Sequence, residues 1–231
     1  MVGPAHDEVD VWIVDLGTTG ADEQLVTTLS PQEAARFAGA DPGERDRAAA
    51  RAALRMVLGR YLDIAPAEIA LVEADAAKPA IAGARLEFNV AHTEDLALIA
   101  VAGVAVGVDV ERVEPIPAEE LDDLVDFVFA EREAEELAGV SERERLVAYY
   151  RVWTRKEAYV KATGEGIAGR PLPEVVVGVA EPTLVEVMGV AEDELAGWSV
   201  GDIEVPTGYV ASVVAQHPRP RLTVRAWGPP A

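Results

Sequence analysis

Hydrophobic and polar residues alternate in several short segments of the chain, which is the pattern expected of β-strands. The first of these, residues 9–16 (VDVWIVDL), is also rich in β-branched residues, which favour strands. Similar segments follow in two groups, so we predict many short strands. The first group lies at about 69–74, 86–91, 96–102 and 104–111, and the second at about 174–179, 183–188, 198–204, 208–214 and 221–227.

Two longer segments carry apolar residues at helical spacing instead. Residues 44–61 form the first helix, and residues 141–163, which begin at a capping serine and stop before a glycine, form the second. Residues 30–33 (SPQE) have the form of a capping box and predict a short helix, and others are predicted near 119–129 and 130–138. Four apolar residues of the first long helix share one face: Leu54, Val57, Leu58 and Tyr61.

Each half of the chain therefore has a long helix followed by a run of strands. Strands grouped beside one or two long helices favour the α+β class over a doubly wound sheet. The repeated order suggests an internal pseudo-repeat with a boundary near residues 103–106. We therefore predict two similar α+β halves, residues 1–105 and residues 106–231.

Composition and charge narrow the functional classes. Half of the 231 residues are apolar, as in a globular protein, and the absence of cysteine excludes disulfides and thiolate chemistry. The formal net charge of −21 argues against general binding to nucleic acid or to an anionic membrane. The sequence has neither a secretory leader pattern nor an apolar run of membrane-spanning length, so we expect a cytoplasmic protein.

Asp109 and Glu111 lie two positions apart on a predicted strand, so both carboxylates point to the same face. Carboxylates at this spacing repel each other unless a cation lies between them, and Mg²⁺ prefers such hard oxygen ligands. The alternative is an exposed acidic strand end, since about seven acid-x-acid triplets are expected by chance from 41 acidic residues. The apolar neighbours Val108 and Val110 favour the metal site.

A second group of charged residues lies on the predicted helix 141–163, in the segment WTRKEAYVK. Trp153, Glu157 and Lys161 are four residues apart and share one face, with Lys156 beside them. By itself this pattern also fits an ordinary salt-bridged helix face. Together with the two strand carboxylates, it supplies the acids and the ammonium group that metal-assisted phosphoryl transfer uses.

Basic residues further upstream form a candidate phosphate pocket. Arg47, Arg51 and Arg55 recur every four residues on the first long helix and form a basic ridge. His92 follows a predicted strand, where a lone histidine is most often structural, although beside Lys78 and the ridge it can bind a phosphate monoester. The sequence contains no glycine-rich phosphate loop, so we expect side chains to hold any nucleotide.

These motifs resemble those of a known family. Residues 107–111 (GVDVE) and 153–161 (WTRKEAYVK) resemble the paired signature of the 4′-phosphopantetheinyl transferases, and residues 78–79 (KP) with 88–93 (FNVAHT) resemble a third block. Residues 209–218 look like the closing strand of that family. The length is similar to that of the larger, monomeric type, which activates nonribosomal peptide and polyketide synthases.

The resemblance implies two similar α+β halves about a pseudo-twofold axis, with coenzyme A in the cleft between them. It implies that Asp109, Glu111 and Glu157 hold Mg²⁺ against the coenzyme A diphosphate. Lys161 would stabilise the leaving adenosine 3′,5′-bisphosphate, and Glu157 would act as the base for the attacking serine. The implied coenzyme A ligands are Arg47, Arg51, Lys78, His92, Lys156 and Lys161, with His92 at the 3′-phosphate.

The implied partner is an apo acyl or peptidyl carrier protein, whose serine receives the 4′-phosphopantetheine group. Carrier proteins are usually acidic, as this chain is, so we expect a local apolar patch to bind them. The candidates, unless they pack into the core, are Leu121, Leu124, Val125 and Phe127. Two other functions stay open: a different Mg²⁺-dependent enzyme acting on a nucleotide or phosphoester, and a non-catalytic acidic interaction module.

Overall fold

A computed structural model of the chain describes residues 3–19, 27–38, 42–72, 78–81, 83 and 86–227. Within these residues the helices are α1 (Leu16–Thr19), α2 (Pro31–Arg36), α3 (Pro42–Leu62), α4 (Ala118–Val128), α5 (Glu131–Ala138), α6 (Glu142–Thr163), α7 (Gly166–Gly169) and α8 (Glu192–Leu195). The strands are β1 (Glu8–Asp15), β2 (Leu71–Val72), β3 (Ala80–Ile81), β4 (Glu87–Thr93), β5 (Leu96–Ala102), β6 (Val106–Arg112), β7 (Val175–Val177), β8 (Leu184–Val187), β9 (Ser199–Asp202), β10 (Tyr209–Ala215) and β11 (Arg221–Ala226).

The observed helices and strands agree closely with the predicted segments. The bounds of β5 are the predicted ones, and those of the two long helices differ from the prediction by one or two residues. The capping box is confirmed, because Ser30 Oγ accepts from the Glu33 N–H and the Glu33 carboxylate accepts from the Ser30 N–H. Of the predicted strand 69–74, β2 covers Leu71–Val72, and residues 73 and 74 lie outside the described residues.

Two sheets form the centre of the molecule. The larger has the strand order β11-β1-β5-β4, and the smaller has the order β6-β10-β9. Strands β1, β4 and β5 pair antiparallel with one another, as do β6, β10 and β9. Helix α3 covers the larger sheet, and its predicted apolar residues Leu54, Val57 and Leu58 are fully buried. The mixture of antiparallel sheets and segregated helices confirms the α+β class.

The last strand connects the C-terminal part of the chain to the first strand. Strand β11 follows β10 in sequence but pairs in parallel with β1, over residues 8–13 of that strand. Trp227, which follows β11, is buried against Trp12 with the ring centroids 5.7 Å apart. The larger sheet therefore contains a strand from each side of the predicted boundary between residues 105 and 106. The division into two halves stays a prediction. The alternation of side chains predicts a strand but does not specify its partner.

Helix α6 packs against strands β6 and β10 of the smaller sheet. It ends at Gly164, whose φ of 77° is the left-handed conformation that favours glycine. Ser141 is its N-cap residue, as predicted, but the hydroxyl donates to the Glu144 carboxylate at 2.7 Å and accepts from no backbone N–H. Among the described residues, no helix is both long enough and apolar enough to cross a membrane.

Candidate active site

Strand β6 carries the two carboxylates that the sequence singles out. In the antiparallel pairing with β10, Asp109 lies opposite Ser212 and Glu111 lies opposite Val210. The two acids share one face, as the strand periodicity predicts. Asp109 is buried and Glu111 is partly exposed, so the pair lies where β6 leaves the core and approaches solvent.

Helix α6 brings two more predicted residues, Glu157 and Lys161, against this strand. Gly107 permits the close approach, since a Cβ at that position would lie 2.0 Å from the carbonyl oxygen of Ala158. The Lys161 Nζ donates a hydrogen bond of 2.6 Å to Asp109 Oδ1. Glu157 lies one turn earlier and is buried near enough to the Asp109 carboxylate to be affected by its charge.

Burial and mutual repulsion change the protonation of these acids. Burial and then the charge of Asp109 raise the pKa of Glu111 to about 7, while Lys161 acts in the opposite direction. The same causes raise the pKa of Glu157 to about 6, and burial raises the pKa of Asp109. A carboxyl group in such surroundings tends to keep its proton until a cation compensates the negative charge.

Buried oxygen atoms without a partner test whether this site suits a divalent cation. Among the described residues, Asp109 Oδ2 and Glu157 Oε1 are buried and have no hydrogen-bond partner. Mg²⁺ is usually bound by one or two carboxylates and completes its shell with water and substrate phosphates. The donor chemistry of the two unpartnered oxygens therefore fits Mg²⁺.

The three predicted metal ligands do not form a closed cluster. In the ranges that the structure describes, no group of three or more His, Cys, Asp or Glu side chains is arranged to hold a metal ion. Lys161 is bound to one oxygen of Asp109, and Glu111 lies nearer to solvent. Shared binding of one ion by Asp109, Glu111 and Glu157 therefore remains a proposal.

A basic pocket lies between α2, α3 and β4, and it brings together the predicted Arg47, Arg51 and His92. Arg36 adds a further positive charge to the lining. Partial burial lowers the pKa of His92, and the charges of Arg47 and Lys161 lower it as well. Strand β4, which carries His92, packs against β6, which carries the two carboxylates, so the basic pocket lies beside the carboxylate site.

The arginine ridge divides into two parts. Arg51 and Arg55 both form ion pairs with Glu33. Burial opposes the ionisation of Glu33, but the hydrogen bonds from the two arginines lower its pKa to about 2. Arg55 is buried and also donates to two backbone carbonyls of the segment after α3, so its function is structural. Arg47 is exposed and Arg51 is partly exposed, so these two can contact a phosphate.

Lys78 does not line the basic pocket. Its Nζ donates to the Val106 carbonyl oxygen at 2.9 Å and to the Glu87 carboxylate at 3.1 Å. Burial lowers the pKa of Lys78, while Glu87 acts in the opposite direction. The structure thus places this lysine at the contact between β6 and the N-terminal part of the chain, and its role as a coenzyme A ligand stays a prediction.

Lys156 is fully buried, and its ammonium group lies in the core. Its Nζ forms an ion pair with Glu133 and donates to the carbonyl oxygens of Val128 at 2.8 Å and Leu172 at 3.1 Å. All three N–H donors are thus used inside the protein. The role of Lys156 as a coenzyme A ligand stays a prediction, although in the structure its ammonium has no donor left for a ligand.

Two further charged pairs around α6 were not predicted from the sequence. Glu133 binds Lys156 and also accepts from the Val177 backbone N–H at 2.7 Å. Arg155 is fully buried and forms a two-pronged ion pair with Asp202, at 2.9 and 2.6 Å. Periodicity gives no signal for these residues, because α6 is buried on every side over residues 154–157 and has no polar face there.

Helix α4 exposes less apolar surface than we predicted for a patch that binds the carrier protein. Leu121 and Val125 are each 6% exposed and belong to the core, as the alternative predicted, and Leu124 packs against that core. Phe127 is 63% exposed. The apolar patch is therefore reduced to one aromatic ring on an otherwise acidic helix.

Comparison with known proteins now defines the class. Residues 105–214 match the 4′-phosphopantetheinyl transferase superfamily. The chain is 33% identical over 219 residues to the 4′-phosphopantetheinyl transferase HetI of Nostoc sp., which covers 90% of this chain and 87% of that protein. The chain belongs to the 4′-phosphopantetheinyl transferase family.

Two other similarities are weaker. The 4′-phosphopantetheinyl transferase Sfp of Bacillus subtilis is 25% identical over 166 residues, which covers 71% of each chain. The crystal structure of Thermotoga maritima holo-[acyl-carrier-protein] synthase covers 48% of this chain and 61% of that chain, with 22% identity and a TM-score of 0.35. A structural similarity of this size adds no argument.

The family prediction is confirmed, because the motifs GVDVE and WTRKEAYVK both lie within the matched residues 105–214. The chain is therefore an enzyme, a 4′-phosphopantetheinyl transferase. Enzymes of this family use coenzyme A as a substrate and transfer its phosphopantetheine to carrier proteins.

Proposed function

We propose that this enzyme transfers the 4′-phosphopantetheine group of coenzyme A to a serine of an apo acyl or peptidyl carrier protein, with Mg²⁺, and releases adenosine 3′,5′-bisphosphate. The observation that carries the proposal is the pair of buried, unpartnered oxygens, Asp109 Oδ2 and Glu157 Oε1, beside the ammonium of Lys161. The adjoining basic pocket supports it. Coenzyme A has both a diphosphate and a separate 3′-phosphate, so it needs two neighbouring anion sites of this kind.

The proposed metal ligands are Asp109, Glu111 and Glu157, whose oxygens suit a hard cation. A bound Mg²⁺ would neutralise part of the diphosphate charge, which otherwise repels the attacking hydroxyl. Burial and the charge of Asp109 raise the pKa values of Glu111 and Glu157 to about 7 and about 6, and a bound cation would favour their ionised forms.

The proposed reaction needs a base and a stabilised leaving group. The serine oxygen attacks the phosphorus that carries the pantetheine, the bond from that phosphorus to the bridging oxygen breaks, and the serine proton passes to Glu157 directly or through water. Lys161 is 31% exposed and has N–H donors beyond the one given to Asp109, so it can stabilise the charge that develops on adenosine 3′,5′-bisphosphate.

The proposed 3′-phosphate ligands are Arg47, Arg51 and His92, which line one pocket. Two of them are arginines, whose planar guanidinium groups suit phosphate oxygens. Lys78 and Lys156 are left out of this set, because neither lines this pocket.

We also propose that the enzyme is of the larger, monomeric type, acts on carrier domains of nonribosomal peptide and polyketide synthases, and is located in the cytoplasm. The support is that both predicted halves lie in one chain and that β11 links them by pairing with β1. Size-exclusion chromatography with light scattering should give the mass of one chain. A mass of two or three chains would contradict this part of the proposal.

The test of the reaction is to mix the enzyme, Mg²⁺, coenzyme A and an apo carrier protein and to measure the intact mass of the carrier. The mass should rise by one phosphopantetheine, and EDTA should prevent the rise. Asp109→Ala and Glu157→Ala should abolish transfer without unfolding the chain, whereas Glu186→Ala, an exposed acid on β8, should keep the activity. If coenzyme A binds but several apo carriers stay unmodified, the chain is a non-catalytic member of the family.

A further inference from the structure

The edge of β6 that faces away from β10 is hydrogen-bonded by side chains instead of by a neighbouring strand. Among the described strands, β6 pairs with β10 alone, which leaves the backbone groups of its other edge without a ladder partner. Two of these groups bind residues from the N-terminal part of the chain. The Val108 N–H donates to Asn89 Oδ1 at 2.9 Å, and the Val106 carbonyl oxygen accepts from Lys78 Nζ at 2.9 Å.

Asn89 lies on β4, the strand that also forms a wall of the basic pocket. Side chains alternate along β4, so its two faces contact different parts of the protein. Val90 and His92 face α3 and line the pocket. Asn89 and Ala91 face the other way, and Ala91 packs among the apolar residues of β6. A single strand therefore carries the pocket on one face and the contact with β6 on the other.

Asn89 accepts a hydrogen bond from the residue next to Asp109. Val108 directly precedes this acid, and Gly107, one residue earlier, lies directly beneath α6. Asn89 is 7% exposed, so water does not readily replace its hydrogen bond. Only the amide oxygen of Asn89 can accept from a backbone N–H, which fixes the orientation of this side chain.

We propose that Asn89 is a positioning residue that holds the basic pocket on β4 in register with the carboxylate site on β6, so that one coenzyme A molecule can reach both. The inference rests on the proposed function, in which Arg47, Arg51 and His92 bind the 3′-phosphate while the Asp109 site binds the diphosphate. Asn89 itself contacts neither phosphate. Its loss disconnects the two sites and leaves each of them intact.

The experiment compares coenzyme A with 3′-dephospho-coenzyme A as donors, each with Mg²⁺ and the same apo carrier protein. The wild-type enzyme should prefer coenzyme A in kcat/KM, because the 3′-phosphate contributes binding only when pocket and carboxylates are aligned. In Asn89→Ala the preference should fall about tenfold, which corresponds to about 1.4 kcal/mol, mainly through KM for coenzyme A. Asn89→Asp keeps an oxygen acceptor at the same place and should retain the preference.

A matched control separates positioning from general loss of stability. Tyr61→Phe removes the buried hydrogen bonds of Tyr61 with Asp10 and Trp12, in the same half of the chain but away from β6. This variant should be destabilised and yet keep the wild-type preference. If Asn89→Ala fails to fold, Asn89→Ser, whose hydroxyl is too short to reach Val108, takes its place.

The outcomes distinguish the inference from the function on which it rests. A wild-type enzyme that transfers from both donors equally well contradicts the proposed 3′-phosphate pocket. A wild-type preference that is unchanged in a folded Asn89→Ala or Asn89→Ser enzyme overturns the positioning role of Asn89 alone. Loss of the preference in Tyr61→Phe would also overturn it, since the effect would then follow from stability.

Discussion

Helix α6 carries two lysines five residues apart, and each forms an ion pair with a carboxylate from another part of the chain. The two pairs differ in whether all of their polar atoms are bound. The pair of Lys156 and Glu133 is closed: both side chains are at most 1% exposed, and the lysine gives its remaining donors to two backbone carbonyls. The pair of Lys161 and Asp109 is open. Lys161 is 31% exposed, and Asp109 keeps one buried oxygen without a partner.

This difference separates a charge that stabilises the fold from a charge that is available for chemistry. A buried ion pair is tolerated when every donor and acceptor in it is bound, because unpaired polar groups in the core are costly. An unpartnered oxygen beside a partly exposed ammonium has no such structural explanation. The open pair therefore supports the proposed site, which a cation and an anionic substrate would complete.

The largest effect on stability should come from breaking the closed pair. Lys156→Met removes the buried ammonium and leaves Glu133 charged in the core, which should destabilise the protein by about 3–5 kcal/mol. Thermal or urea unfolding, followed by circular dichroism, measures this loss.

Adding Glu133→Gln to Lys156→Met provides the control. The second change removes the uncompensated charge and keeps an oxygen acceptor for one of the two backbone N–H groups, of Val177 and Ala130, that bind separate oxygens of Glu133, so it should restore part of the stability. A Lys156→Met protein with wild-type stability but no affinity for coenzyme A would show instead that Lys156 is a ligand.

Breaking the open pair of Lys161 and Asp109 should reduce activity more than stability. Lys161→Met should lower kcat for transfer by about 10²–10³-fold, because an ammonium that stabilises the leaving group contributes most in the transition state. Its loss of stability should be smaller than that of Lys156→Met, since the side chain is partly solvated. Single-turnover transfer to an apo carrier, measured by mass spectrometry, gives the rate.

Lys161→Arg is the matched variant, because it keeps the positive charge. It should retain more activity than Lys161→Met but less than the wild type, since a guanidinium does not reproduce the geometry of an ammonium. If Lys161→Met unfolds as readily as Lys156→Met and transfers at the wild-type rate, the distinction between the two pairs is wrong.

The smallest expected effect is a pH dependence of stabilisation by Mg²⁺. The pKa values of Glu111 and Glu157 are raised to about 7 and about 6, so without metal their contribution to stability is present at low pH and is lost as pH rises through these values. Mg²⁺ binds the ionised carboxylates. The rise in Tm caused by Mg²⁺ should therefore be larger at pH 8 than at pH 6, by a few degrees, roughly 1 kcal/mol.

Differential scanning calorimetry in EDTA and in Mg²⁺ measures this rise at each pH. Subtracting the Tm in EDTA from the Tm in Mg²⁺ at the same pH cancels the effect of His92 titration. The lowered pKa of His92 changes stability with pH in the opposite direction to the two glutamates. Asp109→Ala should show no rise at either pH. An equal rise in Asp109→Ala would place the bound Mg²⁺ somewhere else on the protein.

Much of the fold was predictable from local patterns. The strand bounds of β5, the capping box at Ser30 and the end of α6 at Gly164 follow from alternation and capping, which depend on neighbours in sequence. The pairing of β11 with β1 was not predictable. It joins residues more than 200 positions apart, and side-chain alternation does not specify a partner strand.

The candidate site divides in the same way. The sequence motifs singled out Asp109, Glu111, Glu157 and Lys161, which the structure places on β6 and α6, and the sequence grouped His92 with the arginine ridge, with which it lines one pocket. It did not distinguish Lys156 from Lys161, because both are lysines in one helical motif. It gave no indication of Glu133 or Asp202, whose partners are distant in sequence.

The sequence by itself determined the helices and strands, the family and the residue types of the candidate active site. These depend on periodicity, capping and motif spacing, which are local properties of the chain. Only the tertiary structure decided which charges are closed into the core and which stay open, because that depends on what packs against each side chain. Lys156 meets Glu133 and two carbonyls, whereas Lys161 meets Asp109 and solvent.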